Sequence, residues 1–337
     1  MKEKVTLSTI AEHLGVSTAT VSLALRDSSL VAGATRDKIK VTAAELGYIY
    51  DRRAASLRTS RSGIIGVLMH DIVNPFFAEI LIAIEDELEA SRRIFLLCNH
   101  RDNLNTQTNF IDTLLQFGAD GVIVSPAIGT TLSDIEKIEN NGLPVVLVAR
   151  DIPDATVPVF RGNDKKGIQI ATQHLIDLGH REIAFVGGRR ETSTGRDRRD
   201  GYLAALHEAG IEPNPSLQTG SQSTRQDGYD CVRALFESGQ NPTGIVCFND
   251  LLAFGVMNGL RSIGKEPGVD VSVTGYDNIA EAEIFSPALT TVWNGQQEVG
   301  KLAARAMVEI LQGNRPSKNH VYFEPKFVNR NSTRRVK

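Results

Sequence analysis

Cysteine is scarce in this chain: three in 337 residues, Cys98, Cys231 and Cys247, all in apolar surroundings. Three thiols with neither even pairing nor metal-ligand spacing exclude a disulfide scaffold and a zinc site, and read as buried free thiols in a reducing compartment. No run of about 18 apolar residues is present, so a membrane-spanning helix is excluded. The opening MKEKVTLSTIAEHLG has no apolar core of a secretion signal, and a cytoplasmic protein is expected. No phosphate-binding loop, no Gly-x-Ser-x-Gly and no cluster of His, Cys and Asp appears. His174 and His180 fall in a helix and the turn after it, where a structural role fits better than catalysis. The sequence therefore predicts no enzyme, no metal and no cofactor.

An excess of charge of one sign is also missing overall, at a net of −3, but the average hides an asymmetry. Residues 1–62 carry ten Lys/Arg against six Asp/Glu, a net of +4, and the rest carries 27 against 34, a net of −7. A basic module at one end of an acidic body suits DNA binding confined to that end.

That end holds the stretch around which the chain is organised, IAEHLG at 10–15 followed by VSTATVSLALR at 16–26. Ile10, Ala11 and Leu14 form one face of a short helix, and Gly15 supplies the turn that ends it. Ser17 is a good N-cap for a second helix whose apolar residues are Val21, Leu23, Ala24 and Leu25. Ala11 is small enough to let the two helices cross closely. A helix-turn-helix results, with its second helix placed to enter a DNA major groove; taken alone, the stretch also fits an ordinary helical hairpin. Thr35 is expected to cap a third helix, Arg36–Leu46, closed by Gly47, with Ile39, Ala43 and Leu46 completing a miniature core.

YIYDRRAASLRTSR at 48–61 follows. Asp51 can cap a run of about seven helical residues, far below the ~12–15 that hold a helix alone in water. A hinge that folds only when paired on DNA is expected. Leu57 is an apolar residue among arginines, suited to wedging between base steps in the minor groove, and Arg52, Arg53 and Arg58 to phosphates. A plain basic linker is the alternative.

From Gly63 onward, strands and helices alternate. Strands are predicted at Ile64–Met69, Ile94–Cys98, Gly121–Ser125 and Val145–Val148, and in a second series at Glu182–Val186, Gly244–Phe248 and Asp270–Thr274. Helices lie between them. Two doubly wound α/β lobes joined in mid-chain hold a cleft at the carboxyl ends of their strands, where open sheets bind ligands.

These residues, taken together, resemble the LacI/GalR family of bacterial repressors over essentially the full chain. The resemblance rests on IA at 10–11, GVS at 15–17, TVS at 20–22, TR at 35–36, LGY at 46–48, and Ala54 with Leu57. It continues through NPFF at 74–77, GADGVIVSP at 118–126, HLIDLGHREIAFVGG at 174–188, GYDN at 275–278, SPALTTV at 286–292 and NRNST at 329–333. Each is weak alone, and their order and spacing are specific.

The resemblance implies a homodimer on a pseudo-palindromic operator. Each subunit has a headpiece (1–50), a hinge helix (51–62) and a core (63–337) like a periplasmic sugar-binding protein. Lobe one is expected at about 63–160 and 291–318, lobe two at about 161–290 and 319–337. Thr6, Ser17, Thr18, Ala19, Thr20, Ser22, Leu23, Arg26, Arg52, Arg53, Ala54 and Leu57 are expected to meet DNA. Phe76, Phe77, Ser125, Arg150, Arg198, Asn249, Asp250, Asp277 and Trp293 are expected to line the effector cleft. Arg198 stands in the Arg-x-x-Gly-aromatic position (RRDGY), where the family sets a guanidinium, a fixed fork of donors, on ligand hydroxyls. Phe77 fits the core as well as the cleft, Asp250 fits a helix cap equally, and Trp293 fits stacking on ligand or packing at the hinge.

Departures from the family pattern occur at Leu23, where a base-reading Arg or His is common, and at Tyr50-Asp51, which replace Pro-Asn. Leucine offers no bidentate contact to guanine, so specificity shifts toward the short polar residues, DNA shape and the hinge. Ala149-Arg150 stands where many sugar binders place Asp first, and Asn163-Asp164 inverts a usual order. The mixed Arg/Asp/Asn lining predicts a sugar-type inducer; a purine-like corepressor is the alternative, and a solute-binding protein a more distant one.

Overall fold

A computed structural model describes residues 5–49, 61–220 and 223–336, and the chain divides at Ser62/Gly63 into two compact units. The hinge residues Arg52, Arg53, Ala54, Leu57 and Arg58 lie outside the described residues.

The first unit is a three-helix headpiece: α1 (Leu7–Leu14), α2 (Thr18–Leu25) and α3 (Gly33–Glu45). Thr6 caps α1 in a reciprocal box with Thr9. Gly15 ends α1 at φ +66°, a left-handed conformation that favours glycine. The Ser17 hydroxyl accepts from the Thr20 amide at 3.0 Å, capping α2 as its sequence predicts. Ile10, Val21, Ala24, Val31 and Ile39 are buried at the centre, with Ala11 and Ala43 allowing close crossing. Thr35 is not a cap: α3 begins at Gly33, because the Arg36 amide already bonds the Ala32 carbonyl.

The second unit carries two parallel sheets. In the first lobe β1 (Ile64–Met69), β2 (Ile94–Asn99), β3 (Gly121–Val124), β4 (Val145–Val148), β5 (Val159–Gly162) and a late strand, β11 (His320–Phe323), run in the order β11-β5-β4-β3-β1-β2. The strands β1, β3 and β4 are almost wholly buried and read as continuous Val/Ile/Leu runs, as parallel strands covered on both faces must. Helices α4 (Pro75–Ala90), α5 (Leu104–Gln116) and α6 (Leu132–Asn140) connect them, and α12 (Gln296–Leu311) returns late to pack against α4.

In the second lobe β6 (Ile183–Val186), β7 (Gln218–Thr219), β8 (Gly244–Cys247) and β9 (Ser272–Thr274) are ordered β7-β6-β8-β9. They carry α7 (Asp164–Asp177), α8 (Ser193–Glu208), α9 (Arg225–Glu237), α10 (Asp250–Ser262) and the short α11 (Glu281–Ile284). An antiparallel pair, β10 (Thr291–Trp293) with β12 (Lys326–Val328), is bridged to this lobe through Thr274–Thr290 and Asp277–Trp293.

Those pairings correct the expected lobe boundaries. The segment 319–323 belongs to lobe one, because β11 pairs with β5 in register from His320–Val159 to Phe323–Gly162. Residues 291–293 side with lobe two, and the chain crosses between the lobes near 162, 294 and 324.

Candidate ligand cleft

The carboxyl ends of strands from both lobes meet around a cavity of about 300 Å³. His70 follows β1, Arg101 and Asp102 follow β2, Ala149 and Arg150 follow β4; Arg189, Phe248-Asn249 and Asp277 follow β6, β8 and β9 in the opposite lobe. Side-chain N-caps set the helices that begin at this rim. Asn74 accepts from the Phe76 amide at 3.1 Å, Thr192 from Gly195 at 3.0 Å and Asn249 from Leu252 at 2.9 Å. Backbone strain gathers here too. Arg101, Asp102, Ala149 and Asp277, all lining the cavity, have φ of 50°, 59°, 60° and 113°. For residues with a Cβ that conformation costs roughly 1–2 kcal/mol each.

Arg198, on α8, is the most committed side chain of the site. Its Nε donates to Asp164 at 2.7 Å and one terminal nitrogen donates to the Phe248 carbonyl at 2.7 Å. The other terminal nitrogen stands 3.7 Å from Asp277. The guanidinium lies between the rings of Phe248 and Tyr276, 4.3 and 4.1 Å from their centroids. Its fork is held rigid by the protein, and the residue lines the cavity. Asp277 Oδ1 and Asn294 Oδ1 accept no hydrogen bond from the described residues. Burial pushes the Asp277 carboxyl well above the usual range, with Arg198 pulling against it.

In lobe one Arg150 forms a bidentate pair with Asp102 and donates to the Pro126 carbonyl at 2.9 Å. His70 shares a hydrogen bond of 3.0 Å with Ser125 and meets the Phe77 ring edge-on at 4.4 Å. Burial and the Arg150 charge lower its pKa well below the usual value, which keeps the imidazole neutral.

Of the residues expected in the cleft, Phe76, Phe77, Arg150, Arg198, Asn249 and Asp277 line this cavity. Both phenylalanines are at the same time largely buried, packed edge to face at 5.0 Å. Three others do not line it. Ser125 is fully buried behind His70, its carbonyl accepting from His100 at 2.9 Å. Trp293 packs at the crossing strands under the Lys326 ammonium, 4.3 Å from its ring.

Asp250 is the third, and its role is structural. It accepts from Thr291 Oγ1 at 2.5 Å and from the Ile279 amide at 2.9 Å, tying the start of α10 to the crossing strand. Burial pushes its pKa up to about 7. The folded state then holds a proton that the unfolded carboxyl releases near pH 4, so this residue's contribution to stability falls as pH climbs from about 4 to about 7. The loss is on the order of 4 kcal/mol at most. Asp250→Asn cannot ionise, so urea unfolding at pH 5 and pH 8 is expected to show a weaker loss of stability with pH than in the wild type.

Residues that the sequence analysis did not place in the cleft include His70, Asp102, Asp164 and Asn294. The signal for them was positional: each directly follows a strand or lies within three residues of its end. Arg161 was hidden as well. On β5, fully buried, it donates to Asp151, Asp164 and Asp197 at 2.7, 2.7 and 2.6 Å. With the Asp151 amide donating to Ser193 Oγ at 3.1 Å, it joins the lobes on the far side of Asp164.

On the headpiece, Ser17, Thr18, Ala19 and Arg26 are exposed and Thr20 is half-buried, leaving a short polar face at the start of α2. Thr6 is exposed, its hydroxyl engaged as the cap of α1. Ser22 is buried and Leu23 packs against the helical core, so neither stands on the exposed face.

A helix-turn-helix unit joined to a two-lobed core with a ligand-sized cleft defines a class: DNA-binding regulators built on a receptor of the periplasmic-binding type. A model described as "Bacterial regulatory proteins, lacI family" matches residues 6–51, and one described as "Periplasmic binding proteins and sugar binding domain of LacI family" matches 62–331. The chain belongs to the LacI family, and it is a DNA-binding transcriptional repressor, not an enzyme. It is 32% identical over 316 residues to the HTH-type transcriptional repressor PurR of Photobacterium profundum, covering 94% of this chain and 93% of that one. PurR of Erwinia tasmaniensis is 31% identical, covering 97% and 96%. A LacI-family regulator from Enterococcus faecium with bound ribose is 30% identical, covering 81% of this chain and all of that one, with a TM-score of 0.73. The lac repressor dimer bound to operator and an anti-inducer shares the fold at a TM-score of 0.88 and 24% identity, over 98% of this chain and 100% of that one. Among the described residues no helix is long and apolar enough to cross a membrane.

Proposed function

We propose that this repressor acts in the cytoplasm as a homodimer on a pseudo-palindromic operator, and that a small sugar-type molecule in the inter-lobe cleft releases it. The observation that carries the ligand class is Arg198: a rigid fork of donors beside the unpaired acceptor oxygens of Asp277 and Asn294, all three on the wall of a cavity the size of a small polyol. Alternating fixed donors and acceptors match vicinal hydroxyls, each of which both gives and takes a hydrogen bond.

The homodimer is supported by exposed apolar residues on lobe one. Val73, Ile82 on α4 and Ile94 and Leu97 on β2, the edge strand of its sheet, are all exposed. In the proposed mechanism Ser17, Thr18, Ala19 and Thr20 present single hydrogen bonds and methyl contacts to base edges, with Thr6 and Arg26 beside them. Leu57, with Arg52, Arg53 and Ala54, docks at the operator centre. Ligand in the cleft favours one lobe arrangement and DNA the other, so each weakens the other by the same factor.

A purine-like corepressor is the second reading. It is favoured by the two rings of Phe76 and Phe77 on one wall and by the similarity to repressors named PurR. Against it, Arg198 already covers one face of the Phe248 ring. A thermal-shift screen of the full chain against neutral sugars, polyols, sugar phosphates, sugar acids and purines separates the two. A sugar-type hit that raises Tm and releases operator supports induction, and a purine hit that tightens operator binding overturns it in favour of corepression.

A further inference from the structure

We infer that the ligand of this cleft carries an anionic group, as a sugar phosphate or a sugar carboxylate does, and that Arg101 and Arg189 receive it from opposite lobes. The inference rests on the sugar-type reading above and narrows it.

Four guanidinium groups line the cavity, and they divide into two kinds. Arg150 and Arg198 are held by Asp102 and Asp164, and so serve as fixed walls. Arg101 and Arg189 also line the cavity, yet neither side chain has a hydrogen-bond or ion-pair partner among the described residues. One stands after β2 in lobe one and the other after β6 in lobe two, so an anion between them is gripped from both sides of the cleft.

The carboxylates on the cavity wall do not cancel these two charges. Asp102 is consumed by Arg150, and Asp164 is shared between Arg161 and Arg198. Asp277 lies 3.7 Å from Arg198, and burial favours its neutral form. Asp71 accepts from the Val73 amide at 3.2 Å, and burial raises its pKa as well. Two cations are left over at the cleft, Arg189 half-buried and Arg101 exposed at its rim, where pairing with a ligand anion depends on salt. Arg101 is also one of the strained residues, with φ of 50°, so the backbone is bent to bring a cation to this rim.

The test uses the full chain in about 50 mM salt, where screening is weak, and matched probes: glucose against gluconate and glucose 6-phosphate, and ribose against ribose 5-phosphate, with inorganic phosphate as the minimal anion. Affinities are read by calorimetry for the wild type and for Arg101→Gln with Arg189→Gln, whose ligand-free Tm reports its folding. At least one charged member is expected to bind ten times or more tighter than its neutral partner, and the double substitution to erase that difference. Neutral partners binding as well as charged ones overturn the anion while leaving the sugar-type reading standing. Charged ligands that bind equally well to the double variant, or no binding of any charged probe at millimolar concentration, overturn it too. If a purine base, added as a further probe, is the one compound that binds, the sugar-type reading itself fails.

Discussion

Replacing Arg198 by alanine is expected to abolish the effector response, raising the effector Kd at least 100-fold while operator affinity in the absence of effector stays close to that of the wild type. The guanidinium is fixed by Asp164, the Phe248 carbonyl and two aromatic faces before ligand arrives. Ligand therefore gains charge-assisted hydrogen bonds with little ordering cost. Two such bonds at about 1.5 kcal/mol each account for a factor of roughly 100. The substitution also breaks a buried ion pair, for which about 3 kcal/mol of stability is a reasonable loss. That lies at the low end of the usual range because Asp164 keeps Arg161 as a partner. Arg198→Lys retains the charge but neither the fork nor the flat face that fits between two rings, so it restores little of the affinity. Calorimetry with a stabilising ligand and operator anisotropy check both halves. An Arg198→Ala protein that releases operator normally places the effector elsewhere.

Gly255→Ala is expected to cost at least about 3 kcal/mol, or to leave no soluble protein, although alanine is the better helix former by about 1 kcal/mol. A Cβ at Gly255 in α10 falls 1.9 Å from the Arg225 carbonyl oxygen of α9 and 2.8 Å from its carbon. These are backbone atoms, so no side chain can swing aside. Gly228 on α9 meets α10 in the same way, its Cβ position 2.2 Å from the Leu252 oxygen. The two helices touch through glycine, and that contact fixes α10 against α9. Gly33, at the start of α3, has only an Arg36 side-chain nitrogen at 4.0 Å, and Gly33→Ala there is expected to be neutral or slightly stabilising. Denaturant midpoints of the two variants make the comparison.

The fold was legible where burial and periodicity agree. β1 and β4 run at Ile64–Met69 and Val145–Val148 as the apolar runs predict, and Ser17 caps α2. Legibility failed where a charge is buried. β5 reads VFRG, and Arg161 breaks its apolar run, its charge compensated by Asp151, Asp164 and Asp197, which no apolar pattern reveals. With β5 missed, its partner β11 was assigned to the wrong lobe. In the cleft the aromatic and Arg-x-x-Gly signals found Phe76, Phe77 and Arg198. The resemblance led to both Asn249 and Asp250, but adjacent residues at a helix start face different ways. Asn249 caps α10 at the cavity, while Asp250 turns inward to Thr291. Residue type cannot tell those two apart; backbone geometry does.

The central claim is that one ligand in the inter-lobe cleft and one operator at the headpieces are coupled through the same molecule. It is tested most directly by titrating the full chain onto an operator selected from random-sequence DNA, with and without the ligand that stabilises the core, and then measuring that ligand's affinity with and without operator. Ligand is expected to weaken operator binding at least tenfold, and operator to weaken ligand binding by the same factor. An operator Kd that does not move at saturating ligand contradicts the claim.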